Sequence, residues 1–168
     1  MAKGKREWQE REMKMLSEWL ELNYSGSYYA TRVRLGTPPA ELSIPGISPE
    51  EHTMTGIWRR WADGLVLLRD RVIIIEAAIR PDPGDISKLE LYASLFPHTP
   101  EYREHAGKRL ELILLYALED PVLLRLAATK GIKTVYFRPS WLAEYLAILY
   151  PRERRSSIAG KELLSSSP

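Results

Sequence analysis

A three-layer α/β/α sandwich with a mixed sheet is the α/β architecture that this 168-residue sequence predicts, and three observations carry the reading. Two apolar runs, 57–68 and 71–79, are separated only by Arg69-Asp70, which reads as a tight hairpin and demands antiparallel pairing. After residue 80 helix-period and strand-like segments alternate, and strand-helix-strand steps demand parallel crossovers. Val72-Ile73-Ile74-Ile75 shows no polar alternation, so both faces of that strand are to be covered.

The elements follow in order. From Lys5 to Tyr24 the residues Trp8, Met15, Leu16, Trp19 and Leu20 recur at spacings of three and four among good helix formers, which predicts an amphipathic helix. Asn23-Tyr24-Ser25-Gly26 stops it. From Tyr28 to Leu35, alternation of Tyr29, Thr31, Val33 and Leu35 against Tyr28, Ala30, Arg32 and Arg34 predicts a half-buried strand with a basic face. Residues 36–56 contain enough proline and glycine to exclude a regular ladder and suit a long ordered loop. The hairpin comes next, with the unalternating run as its central strand. Arg80-Pro81-Asp82-Pro83-Gly84 breaks the chain, and a helix carrying Ile86, Leu89, Ala93 and Phe96 follows with Asp85 as its expected N-cap. Leu110 to Ala117 reads as a buried strand. A helix from Asp120-Pro121 to before Gly131, a strand over Thr134 to Phe137 and a helix over Pro139 to Tyr150 complete the order.

Composition narrows the chemistry. Forty-five per cent hydrophobic and 27% charged residues suit a globular domain, expected over 1–150 with a basic, partly disordered tail over 151–168. No apolar run reaches the roughly 18 residues of a membrane span, and the N-terminus lacks a secretory signal, so a cytoplasmic location is expected. The absence of cysteine excludes disulfides, thiolate zinc and cysteine nucleophiles, and His52, His98 and His105 form no spaced metal pair. Any metal would be a hard ion held by carboxylates. The net charge of +2 arises from the tail, where Arg152, Arg154 and Arg155 cluster; this fits attraction to nucleic acid and fits a solvated terminus at least as well.

Two acids sit where a core-building sequence would not place them. Glu76 lies between Val72-Ile73-Ile74-Ile75 and Ala77-Ala78-Ile79, where an unpaired carboxylate costs several kcal/mol or more, in order-of-magnitude terms. Asp63 precedes Gly64 in the neighbouring strand, and glycine there admits close approach by a backbone or ligand. Counting outward from Arg69-Asp70 places Asp63 opposite Glu76 on one face. Like charges across a ladder repel, so the pair calls for a cation. Mg²⁺ suits it, since it takes one or two carboxylates and then engages phosphate oxygens. The alternative is that Arg34, Arg59 or Arg80 pairs with each acid. Glu12, at the edge of the first helix's buried stripe, is either a third metal-facing acid or an exposed one.

On these residues the sequence resembles the PD-(D/E)XK nuclease superfamily, of restriction-endonuclease-like fold, whose signature is an Asp early in the second strand and Glu-x-Lys in the third. Asp63 and Glu76-Ala77-Ala78 match except at the lysine, where Ala78 stands. The likeness covers about residues 5 to 140. Lys88-Leu89-Glu90-Leu91-Tyr92 is similar to the Gln-x-x-x-Tyr of the RecB-like branch, with lysine in place of glutamine. Lys88 is then either a migrated catalytic lysine or an ordinary exposed helix residue, and Tyr92 either a phosphate or base contact or a core-edge aromatic. Arg80 shares the face of Ala78, but a guanidinium is a poor proton acceptor.

The resemblance implies Mg- or Mn-dependent hydrolysis of DNA phosphodiesters, endonucleolytic or exonucleolytic. Asp63 and Glu76, with Glu12, would hold the metal, and Lys88 would position the water. Arg32, Arg34, Arg80, Tyr92 and the Arg152, Arg154 and Arg155 cluster would contact nucleic acid. The segments RVRLGTPP and YFRPSWLAEYLA also look like those of small tailed-phage proteins. That likeness implies the alternative: a catalytically inactive neck or connector component in a virion, contacting DNA, other virion proteins or further copies of itself through aromatics such as Trp8, Trp58 and Trp61.

Overall fold

The computed structural model describes residues 3–38, 46, 48 and 59–149, with side chains from Glu7 onward. The chain forms two compact units, Met1–Phe137 and Arg138–Pro168. Most of the expected 36–56 loop lies outside the described residues, as do Arg152, Arg154 and Arg155.

In the first unit, helix α1 (Lys3–Tyr24) buries Met15, Leu16, Trp19 and Leu20, the stripe that the spacing predicts. Strands β1 (Tyr28–Leu35), β2 (Arg60–Leu67) and β3 (Arg71–Ala78) follow. Helix α2 (Pro83–Leu95) begins at Asp82 and not at Asp85. Asp82 accepts from the Gly84 amide while the Asp85 carboxylate accepts from the Asp82 amide, a reciprocal cap that satisfies two otherwise orphaned donors. Two 3₁₀ segments, Phe96–His98 and Pro100–His105, lead to β4 (Arg109–Tyr116). Asp120 caps α3 (Pro121–Thr129) with proline at the first helical position, Gly131 leaves it at φ +70°, and β5 (Lys133–Tyr136) ends the unit's strands.

Among the described residues the sheet has five strands in the order β1-β2-β3-β4-β5. The first three are antiparallel neighbours, whereas β3-β4 and β4-β5 are parallel. Residues alternate between the faces of the pleat. Val72 and Ile74 pack with Ile86, Leu89, Leu123 and Ala127 of α2 and α3. On the opposite face, a Cβ added at Gly64 would meet Leu16 of α1 at 3.3 Å and Ile75 at 3.4 Å. Helices therefore cover both faces, which makes the three-layer α/β/α sandwich.

Strand β1 departs from simple alternation. Tyr29 reaches α1, where its hydroxyl donates to Glu21, whereas Val33 and Leu35 lie in the core beneath α2 and Thr31 is exposed. Arg32 has φ +54°, a left-handed conformation uncommon outside glycine. That residue breaks the alternation, so Tyr29 and Thr31 do not share the inward face of Val33 and Leu35.

The second unit contains α4 (Leu142–Leu149), shorter than expected because Leu142 N donates to Pro139 O in a preceding turn. Among the described residues no helix is long and apolar enough to cross a membrane.

Candidate functional site

The antiparallel ladder between β2 and β3 runs from Leu67↔Val72 to Gly64↔Ile75 and stops there. One further step of the same register is Asp63 opposite Glu76, the pair obtained by counting from the hairpin. Where the ladder ends, the backbone groups of both strands require other partners. The Asp63 carboxylate accepts from Ala77 N at 3.0 Å. The Trp61 carbonyl accepts from the Tyr92 hydroxyl at 2.6 Å. Side chains thus replace the interstrand bonds.

The parting strands open onto a cleft of about 890 Å³ between α1 and α2. Glu12, Arg32, Asp63, Glu76, Ala78, Arg80, Asp85 and Lys88 line it, with Trp8 and Trp61 among its aromatic walls. It therefore gathers six of the sequence-predicted site residues: Glu12, Arg32, Asp63, Glu76, Arg80 and Lys88. Arg34 and Tyr92 lie beside the cleft and do not line it. Tyr92 is buried, with its hydroxyl committed to Trp61, so it is a core-edge aromatic and not an exposed phosphate or base contact.

Lys88 turns into the cleft from the second turn of α2. Its Nζ donates to Glu76 Oε1 at 2.6 Å and to Asp85 Oδ1 at 2.9 Å. This ammonium is the cation that Glu76 meets, not one of the guanidiniums that the alternative reading offered. Arg59 instead bonds Glu101 at 2.7 Å and the Arg34 carbonyl at 2.8 Å, and Arg34 stacks over Trp61. Asp85 was missed from the sequence as part of the site. It is buried and divides its oxygens between the helix cap and Lys88, a second duty that its N-terminal position on the helix does not reveal.

Burial pushes Glu76 up to about 8, aided by the negative charge of Asp63 and opposed by the hydrogen bond and charge of Lys88. Burial also raises Asp63, against the Ala77 amide and the Lys88 charge. Partial burial works against the charge on Lys88, but its bonds to Glu76 and Asp85 prevail and raise it further, so the lysine is protonated at neutral pH. Glu12 is pushed up to about 7 by burial, although its Oε1 accepts from Trp8 Nε1 at 2.8 Å and Ile79 N at 3.1 Å. The result is three acids raised by burial, Glu12 and Glu76 well above the usual carboxylate range, with Lys88 opposing the shift at Asp63 and Glu76.

Among the described residues, Glu76 Oε2 is buried with no hydrogen-bond partner. An orphaned carboxylate oxygen beside a second raised acid is what a hard cation would satisfy. Among the described residues no group of three or more carboxylate or histidine side chains is close enough to form a metal-ligand cluster. Glu12 is consequently held by Trp8 and Ile79 and is not gathered with Asp63 and Glu76 into a three-acid ligand set. Asp63 and Glu76 are the two carboxylates that would hold Mg²⁺, an ion that takes one or two carboxylates and keeps several waters.

No family model matches the chain, and no curated protein matches it significantly.

Proposed function

We propose that the cleft is the active site of a divalent-metal-dependent nuclease that hydrolyses DNA phosphodiesters. The observation that carries the reading is the convergence of Asp63, Glu76 and Lys88 where the ladder opens. Asp63 and Glu76 would hold Mg²⁺ or Mn²⁺, which supplies Lewis-acid polarisation of phosphate and a more acidic water. Lys88 Nζ orients the attacking water through a hydrogen bond, and it holds its proton throughout. Asp85 fixes Lys88, and the cap holding Asp85 fixes both to the start of α2. Arg32 and Arg80, both lining the cleft, bind phosphate oxygens by charge. The resemblance to the PD-(D/E)XK pattern supports the same assignment, with the motif lysine moved from the position of Ala78 to Lys88.

The test is cleavage of single-stranded, branched and duplex DNA in Mg²⁺ and Mn²⁺ by the wild type and Glu76→Gln. Cutting by the wild type alone supports the reading. Absence of cutting by the wild type in both metals overturns it.

A second reading is favoured by the Lys88–Glu76 contact at 2.6 Å, since an internal ammonium already balances the acid. The fold would then serve without chemistry, as an assembly component of a phage virion. Such a protein would form rings or bind partner subunits in sedimentation experiments and cut nothing.

A further inference from the structure

We propose that Trp61 and Arg34 form a stacking platform for the bases of single-stranded DNA at the mouth of the cleft; this rests on the nuclease reading and names the substrate class of that site. Trp61 is 56% exposed, an unusual position for the largest apolar side chain, and it lines the same cleft as Asp63, Glu76 and Lys88. Arg34 is its direct cross-strand partner. The guanidinium carbon lies 5.1 Å from the centre of the indole ring, within cation–π range. A positive charge is thereby placed beside an open aromatic surface, the combination that binds an unpaired base together with its phosphate.

The platform is held by its backbone. The Trp61 carbonyl accepts from the buried Tyr92 hydroxyl at 2.6 Å, and the Arg34 carbonyl accepts from Arg59 at 2.8 Å. Arg59 is itself anchored to Glu101 at 2.7 Å. Both members of the cross-strand pair are therefore fixed from outside the β1-β2 ladder, while their side chains remain at the surface. A pre-organised aromatic surface binds with less ordering cost than a mobile one. Arg32, two residues before Arg34, lines the cleft, so cationic side chains lead from the platform towards the acids. Bases within a duplex are already stacked and offer no free face to the indole. An unpaired strand does, and its backbone can then follow the arginines to Glu76.

The experiment uses the full chain in EDTA, so that binding is read without cleavage, with a fluorescent oligo(dT) and a duplex of equal length as probes. The wild type is expected to bind the single strand more tightly. Trp61→Ala should weaken oligo(dT) binding roughly 5- to 150-fold and duplex binding much less, and Trp61→Phe, which retains a ring, should recover most of the loss. Arg34→Met should weaken single-strand binding and flatten its salt dependence. Equal weakening on both probes, an unaffected Trp61→Ala or a wild type that does not bind oligo(dT) would each overturn the platform. Cleavage by the wild type in Mn²⁺ is scored separately and tests the nuclease reading. If Trp61→Ala loses single-strand binding while the wild type cuts nothing, the platform stands and the nuclease reading fails.

Discussion

Lys88 Nζ lies 2.6 Å from Glu76 Oε1, joining the second turn of α2 to the central strand across twelve positions of sequence. Glu76 is nearly inaccessible to solvent while Lys88 is half exposed, so the ammonium brings the field of a partly hydrated cation to a carboxylate that has none of its own. Asp85 completes the arrangement by holding the lysine from the other side. The site's electrostatics follow from this pair: without Lys88, burial and the charge of Asp63 would act on Glu76 unopposed.

Lys88→Met therefore leaves a buried acid without its counter-charge. Removing one partner of a fully buried pair costs about 3–5 kcal/mol; because Lys88 is half exposed, screening reduces the expected loss to about 1–2 kcal/mol. Urea denaturation at neutral pH measures it. Cleavage, on the nuclease reading, should fall roughly 100-fold or more. Unchanged cleavage would exclude a role for this lysine in the reaction.

Glu76→Gln should, on the nuclease reading, abolish cleavage and, in the absence of metal, stabilise the fold at alkaline pH. The sign follows from linkage. Glu76 rises from 4.5 to about 8 on folding, so the folded state binds more protons across that interval. Its stabilising contribution is complete below about pH 4.5 and is lost as pH rises through about 8. The stability of Glu76→Gln relative to wild type should accordingly increase from pH 5 to pH 8. Glu12→Gln should show the same trend ending near 7. Denaturation midpoints measured in EDTA across this range check both; a difference that is flat with pH would contradict the assignment.

Asp63 separates a structural role from a chemical one. Its carboxylate satisfies the Ala77 amide where the ladder ends. Asp63→Asn keeps an acceptor for that amide and relieves repulsion with Glu76, so its stability should stay within about 1 kcal/mol of wild type or improve. Asp63→Ala orphans the amide and should cost about 1–3 kcal/mol. On the nuclease reading both should lose divalent-ion binding, which calorimetry with Mn²⁺ reads directly.

Gly64 allows α1 to lie against the sheet. An added Cβ would meet Leu16 Cδ2 at 3.3 Å and Ile75 at 3.4 Å, and further atoms would have to displace one of them. Gly64→Val should destabilise by about 1–3 kcal/mol through overpacking. Thermal unfolding is sufficient to detect it.

The sequence revealed the β2-β3 register because hairpin register is arithmetic: once Arg69-Asp70 is the turn, the observed pairs from Leu67↔Val72 to Gly64↔Ile75 follow, and Asp63 and Glu76 stand one step beyond the last of them. It revealed the covered faces of β3 because an unbroken apolar run has one economical burial. It did not reveal that the ladder stops at Gly64↔Ile75, since strand separation depends on tertiary partners such as Tyr92. Nor did it reveal the broken alternation of β1: Arg32 adopts φ +54° without the glycine or asparagine that ordinarily announces such a conformation. Asp85 was visible as a capping residue, and only the fold shows that its other oxygen reaches Lys88.

On the nuclease reading, Ala78 offers the sharpest test of whether Lys88 does the task that the PD-(D/E)XK pattern gives to a lysine at position 78. It lies two residues after Glu76 on β3 and lines the same cleft, so a side chain at 78 enters the site from the strand while Lys88 enters from the helix. If the reaction requires an ammonium near Glu76 and is indifferent to which element carries it, Ala78→Lys should restore cleavage to Lys88→Met, to within about tenfold of wild type given the precision that such geometry demands. Ala78 is buried, so the new stem will crowd its surroundings and cost about 1–3 kcal/mol, but the charge should partly offset the acid left unpaired by Lys88→Met. Single-turnover cleavage in Mn²⁺, with denaturation run alongside, separates the two effects. Recovery of stability without recovery of cleavage would make Lys88 a counter-ion alone, and recovery of both would establish the ammonium as part of the reaction.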